Sequence, residues 1–122
     1  MNSTGKNKSR AAVLNLVGLC GRHLGPHTPN LLAFAQQTKG HQIIDPVLPA
    51  LTCSAQSTYL TGKTPSVHGI VGNGWYDRDL NEHHFWKQSN RLVQHKKVRD
   101  FLAEKNPEFT CANLFWWYNM HS

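Results

Sequence analysis

The residues best equipped for chemistry in this 122-residue chain gather around Thr52. The run PALTCSAQSTYLTGKTPSVHG puts its hydroxyl just after a proline-rich extended segment, in the first turn of an expected helix. Amides at a helix start lack intrahelical partners and favour an anion, so a phosphate can rest beside the hydroxyl that attacks it. A threonine hydroxyl is a poor nucleophile unaided, and metal coordination is one route to activating it. The plainer assignment makes Thr52 a helix cap. Asn73, between Gly72 and Gly74, reads on composition alone as a turn residue. Glu82-His83-His84 contains metal-binding side chains, but adjacent residues of a regular element point in different directions and lack the i, i+4 spacing of a helical histidine pair. Trp75 and Tyr76 suit either a substrate cleft, where a nucleotide base would stack, or core packing.

The elements that must position these residues alternate between strand and helix. AAVLNLVGL, from Ala11 to Leu19, is a nearly continuous apolar run, the pattern of a parallel strand covered on both faces, and Gly18 and Gly21 close it as a turn. Thr28-Pro29 supplies a helix start, and NLLAFAQQ continues with helical spacing toward Gly40. IIDPVLPAL is a short expected strand leading into a loop. A helix follows from Thr52 and ends at Gly62, so this stretch is a strand-to-helix junction. Residues 63–90, rich in Gly, Pro, Asn, His and aromatics, read as a long loop without regular structure. An amphipathic helix is expected over Arg91 to Lys105 with Leu92, Val93, Val98, Phe101 and Leu102 inward. FTCANLFWWY then reads as a further strand. This order predicts an α/β layered domain with a mainly parallel sheet.

The residues from Pro49 to Asn73 resemble the nucleophile region of the type I phosphodiesterases and nucleotide pyrophosphatases of the alkaline phosphatase superfamily. That region shows P-x-x-T, then T-G, then P-x-x-H-G-I and an Asn. Here these are Pro49, Thr52, Thr61-Gly62, Pro65, His68-Gly69-Ile70 and Asn73, all in register. The surrounding HGIVGNGWYDRDL and FTCANLFWWYNM extend the similarity over residues 11–122. The resemblance implies the amino-terminal part of an alkaline-phosphatase-like three-layer α/β/α sandwich. It implies a hydrolase of phosphoric diesters or pyrophosphates using two divalent metal ions, typically zinc. Thr52 would be the nucleophile and a metal ligand, and Asn73 would donate to a phosphoryl oxygen, where charge develops in the transition state. His68 belongs to the structural turn of the motif and is assigned no metal. The substrate class implied is a small phosphodiester or nucleotide.

Two departures from that pattern shape the expectation. The first strand of the superfamily ends in an Asp-Gly pair whose aspartate binds a metal, and here Val17 precedes Gly18. Asn15, two positions earlier on the same face of a strand, is the candidate replacement, although an amide is a weaker zinc ligand than a carboxylate. After Asn73, no aspartate or histidine sits in a family ligand motif. The chain is therefore expected to be a truncated portion of the catalytic domain, inactive alone. The alternatives are a non-catalytic remnant or a basic nucleic-acid-binding module, the latter with a salt-dependent affinity indifferent to Thr52.

Charge and composition bound these readings. The net charge is +6, and no carboxylate precedes Asp45, so Lys6, Lys8, Arg10, Arg22 and Lys39 stand unopposed. Arg91, Lys96, Lys97, Arg99 and Lys105 form a second basic group. Such a surplus attracts phosphate-bearing ligands, though a solvated tail and an exposed helix face explain it more simply, and nucleic acid is not the expected partner. Residues 1–10 are expected to be a disordered basic tail. Three widely spaced cysteines, Cys20, Cys53 and Cys111, argue against a disulfide framework and for reduced, mostly buried thiols. The apolar run after the basic start is interrupted by Asn15 and falls short of the roughly 20 residues of a membrane span. A cytoplasmic protein without membrane association is the expectation.

Overall fold

The computed structural model describes residues 9–121, so most of the expected tail, residues 1–8, lies outside the described residues. The chain divides into two units, Met1–Ile44 and Asp45–Ser122.

In the first unit, Gly21–His23 forms a 3₁₀ turn and Pro29–Gln37 forms helix α1. Pro29 at the first helical position needs no amide partner there, which is why α1 starts where the sequence predicts. Thr28 occupies the cap position but does not cap: its hydroxyl accepts from the Gly25 amide at 3.1 Å and donates to the His23 carbonyl at 2.5 Å. Residues 11–19 form no strand. They are exposed, with a turn at Val17-Gly18, and Gly18 has φ +82°. A strand buried on both faces needs a neighbour for its amides and carbonyls, and among the described residues none pairs with this run.

The second unit carries the remaining elements: α2 (Thr52–Thr61), the single turn α3 (Pro65–His68), β1 (Gly74–Asp77), β2 (Glu82–Phe85) and α4 (Val98–Lys105), with a 3₁₀ turn at Asn90–Leu92. β1 and β2 pair antiparallel, with Trp75 opposite His84 and Asp77 opposite Glu82. This is the only sheet among the described residues, so the chain is mixed helix and strand without the expected parallel sheet. The hairpin and α3 also correct the reading of residues 63–90 as an irregular loop. Asp77 explains the hairpin: its Oδ1 accepts from the amides of Asp79 and Leu80, a local side-chain turn that competes with irregular backbone.

Two other expected strands are absent for visible reasons. In the segment IIDPVLPAL, Pro46 and Pro49 withhold two amides from any ladder. In the segment FTCANLFWWY, Phe115 and Tyr118 have φ of +62° and +55°, which interrupts an extended run. One isolated parallel bridge, Ser89 to Met120, joins this end of the unit to the stretch after the hairpin.

The core of this unit is Cys53, Ile70 and Tyr118, with Leu92, Val93 and Trp117 packed on it. The expected helix over Arg91 to Lys105 is shortened to α4. Leu92 and Val93 turn onto the core through the 3₁₀ turn, while Val98, Phe101 and Leu102 remain exposed. Asp100 Oδ2 accepts the Lys97 amide at 2.7 Å and sets the new helix start. Among the described residues no helix is long and apolar enough to cross a membrane.

Candidate functional site

Helix α2 begins at Thr52, and the residue at its cap position is Leu51, in extended conformation, with no side-chain cap from within the helix. Thr52 is therefore not the cap. It is half-buried and occupies the first helical position, in the turn whose amides lack intrahelical partners. The preceding turn is fixed by Ser54, fully buried, whose hydroxyl donates to the carbonyls of Pro49 at 2.6 Å and Leu51 at 3.1 Å.

Asn73 reaches this helix start from across the unit. Its Oδ1 accepts the Cys53 amide at 2.9 Å, satisfying one of the orphan donors at the start of α2. Because an amide can only donate, the bond identifies the oxygen of the Asn73 side chain and leaves its Nδ2 as the remaining donor. The Asn73 carbonyl accepts from the Trp86 amide at 2.9 Å, so the residue is held from both sides. Two sequence-predicted site residues, Thr52 and Asn73, are thus brought together at one helix terminus. Asn15 belongs to the other unit, in exposed chain without regular structure.

His68 carries the structural role expected of its turn. It is fully buried; the Ile70 amide donates to Nδ1 at 3.1 Å, so Nε2 holds the proton and donates to Thr58 Oγ1 at 3.0 Å. Burial holds this imidazole below its ordinary pKa, with the His95 ring pushing the same way, consistent with a neutral ring that staples α3 to α2. Gly69 closes α3 at φ +79°, and a Cβ there would meet the Gln94 side chain at 2.8 Å. Gly62 ends α2 in the same left-handed region at φ +64°.

Three contacts were not legible beforehand. Gln56 Oε1 accepts the Trp117 amide at 2.9 Å. Lys97 is 1% exposed, and its Nζ donates to Asn90 Oδ1 at 2.5 Å and to the Tyr118 carbonyl at 2.6 Å. Burial, aided by Arg99, pushes the Lys97 amine down to about 8. The Tyr118 hydroxyl is buried beside the Cys53 thiol, and burial raises both groups above their ordinary pKa values. No periodicity marks a lone buried lysine within a basic stretch; its distance from Asn90 and Tyr118 along the chain hides the pocket that holds it.

The other candidates are placed as follows. Trp75 is half-buried and stacks on His84 with ring centroids 5.6 Å apart, outside the core. Tyr76 is exposed and donates its hydroxyl to Asn81. His84 Nε2 lies 3.8 Å from Asp77 and 3.6 Å from Glu82. Among the described residues no group of three or more His, Cys, Asp or Glu side chains is arranged to hold a metal ion. All three cysteines are free; Cys53 is buried, but Cys20 and Cys111 are exposed, correcting the expectation of mostly buried thiols.

The family model described as type I phosphodiesterase / nucleotide pyrophosphatase matches residues 11–122. The chain is 34% identical over 77 residues to an uncharacterized pyrophosphatase/phosphodiesterase of Schizosaccharomyces pombe, covering 62% of this chain and 16% of that protein. It is 43% identical over 35 residues to alkaline phosphatase PafA of Elizabethkingia meningoseptica and, over an equal length, to alkaline phosphatase PhoV of Synechococcus elongatus. Each of those two matches covers 29% of this chain and 6% of the relative. The chain thus matches less than a fifth of the length of these relatives. No solved structure matches.

Proposed function

Because the chain belongs to the type I phosphodiesterase / nucleotide pyrophosphatase family, we propose that it supplies the nucleophile-bearing portion of a hydrolase of phosphoric diesters or pyrophosphates. Thr52 is the nucleophile in this reading: its Oγ1 bonds to phosphorus as the bond to the leaving oxygen breaks, and water later cleaves the threonyl ester. Asn73 is the donor that meets the charge developing on a phosphoryl oxygen. The observation that carries the proposal is the Cys53 amide to Asn73 Oδ1 bond, which sets the only remaining donor of that side chain, Nδ2, beside the start of the helix that bears Thr52.

Two divalent metal ions, zinc by the habit of the family, belong to the proposal, with Thr52 and Asn15 as candidate ligands. The described residues do not fit a complete two-metal site, since no acidic, histidine or cysteine cluster converges among them. This chain's own share is therefore orientation of the hydroxyl, the helix-terminal amides and the Asn73 donor. The expected three-layer sandwich, with residues 11–122 as its amino-terminal part and further ligands outside these residues, belongs to the same proposal. A nucleic-acid module is less well supported, because the second basic group is not an open cationic face: Lys97 is buried, Lys96 pairs with Glu104, and Arg99 lies 3.6 Å from Asp100.

The test separates positioning from chemistry. In a catalytically competent form carrying these residues, Thr52→Ala should abolish turnover of a chromogenic phosphodiester. Asn73→Asp keeps an oxygen acceptor for Cys53 but loses the donor, so the fold should persist while turnover falls about 10²- to 10³-fold. Unchanged turnover in Asn73→Asp would leave Asn73 a structural cap only.

A further inference from the structure

We propose that Trp86, braced by Trp117, is a positioning residue that holds the Asn73 donor at the start of α2, a role that rests on the reading of Asn73 as the phosphoryl donor. Asn73 sits between Gly72 and Gly74. At Gly74 a Cβ would meet Phe85 Cδ1 at 2.5 Å and the His84 carbonyl at 2.7 Å, so the position is kept bare. With no side chain on either flank, the Asn73 backbone needs support from elsewhere. That support comes from the far strand of the hairpin. The register that sets Gly74 opposite Phe85 continues by one step, and the Trp86 amide donates to the Asn73 carbonyl at 2.9 Å.

Trp86 leads back to the helix that bears Thr52. Its ring lies on that of Trp117, with centroids 4.8 Å apart and planes 35° from parallel, inside the range of a favourable aromatic pair. The Trp117 amide donates to Gln56 Oε1 at 2.9 Å, and Gln56 stands on α2, as Cys53 does. The contacts close a circuit that runs from the Cys53 amide to the Asn73 side chain, on to Trp86, across to Trp117 and back to Gln56. Asn73 therefore has two attachments to α2, its own bond and the path through the tryptophans, and neither occupies Nδ2.

Two observations single out the Trp86 ring. Its backbone has φ +51°, a left-handed conformation that a bulky residue keeps only where its surroundings fix it. It also lies outside the core at 46% exposed, whereas Trp117 packs on Cys53, Ile70 and Tyr118. The segments that carry the two rings are joined independently of them: the Met120 amide donates to the Gln88 carbonyl at 3.1 Å and the Asn90 amide to the Met120 carbonyl at 2.8 Å. Removing the Trp86 ring thus cuts the circuit and leaves the unit folded. Trp75 is the internal control, a tryptophan of the same hairpin that stacks on His84 and takes no part in the circuit.

Amide hydrogen exchange in the full chain, followed by NMR, tests the brace. The Cys53 amide reports the bond to Asn73, and the Gly62 amide, bonded to the Thr58 carbonyl at 2.8 Å, reports α2 itself. Trp86→Ala should speed exchange at Cys53 about tenfold while Gly62 changes by less than about twofold, and Trp86→Phe, which keeps a ring, should restore most of the protection. Trp75→Ala should leave Cys53 unchanged. Unaltered exchange at Cys53 in Trp86→Ala, or an equal rise in Trp75→Ala, would overturn the proposal. If Trp86→Ala speeds Gly62 as much as Cys53, the unsubstituted chain decides: in low denaturant its Cys53 and Trp117 amides should open together and ahead of Gly62, and separate openings overturn the brace. In a catalytically competent form carrying these residues, Trp86→Ala should lower kcat about tenfold with KM unchanged, and add nothing to the loss in Asn73→Asp. A further loss there would mean that Trp86 does not act through Asn73. Turnover indifferent to Asn73→Asp sinks the catalytic reading, whereas the exchange result stands or falls by itself, so the two failures are told apart.

Discussion

In Met1–Ile44 each described side-chain hydrogen bond joins residues no more than five apart, as in Cys20 with His23 and Thr28 with His23. In Asp45–Ser122, by contrast, Cys53 is tied to Asn73 across 20 positions, Gln56 to Trp117 across 61, and Lys97 to Tyr118 across 21. Local bonds shape a turn, and a turn suffices to set a thiol beside an imidazole. A nucleophile that must meet a donor from elsewhere in the chain needs the second kind of bond. The difference separates a contact that a short segment can build from one that only a folded unit can build.

Four measurements bear on that contrast. The largest effect is expected at His68, where removing the ring leaves a cavity and strands Thr58 and the Ile70 amide. His68→Ala should destabilise the second unit by about 3–5 kcal/mol, seen as lost hydrogen-exchange protection in α2 with the Leu24 and Thr28 amides unaffected. Equal loss at Leu24 and Thr28 would break the contrast.

Lys97 comes next. Folded, its amine loses its proton near pH 8, whereas its ordinary value is 10.5. The unfolded chain therefore binds more protons between these values, and stability rises with pH through that window. The gain should not exceed about 3 kcal/mol. The penalty is fully present below pH 8. Denaturant titrations at several pH values should show this slope, and Lys97→Met should flatten it.

A smaller effect belongs to the local unit. Thr28→Ala removes the bonds to Gly25 and His23 and should loosen the approach to α1 by about 1 kcal/mol, leaving exchange in α2 unchanged. The smallest is at the surface: Lys96 and Glu104 form an exposed pair, and Lys96→Ala should shift stability by no more than about 0.5 kcal/mol.

The same division explains what could be read in the sequence. Pro29 and Gly62 act within a few residues of themselves, and α1 and α2, the helices they punctuate, lie where the chain suggests. Thr52 and Asn73 were nameable because their spacing follows a family pattern, though the bond from the Cys53 amide that holds Asn73 at the helix start was not. The apolar runs at 11–19 and 109–118 misled because strand formation depends on a neighbour, which a one-dimensional pattern cannot supply. The hairpin was hidden among turn-forming residues, where Asp77 carries a signal that looks identical in a loop. Lys97 and Gln56 gave no hint, since their partners are set by tertiary packing.

The bond from Gln56 to Trp117 also has a meaning in time. A ribosome adds roughly 5–20 residues per second, so the 61 positions between these residues correspond to about 3–12 s of synthesis. Through that interval the helix that bears Thr52 exists without its distal anchor, and Cys53 and Gln56 are open to other partners. Slower translation across the intervening segment would lengthen that interval.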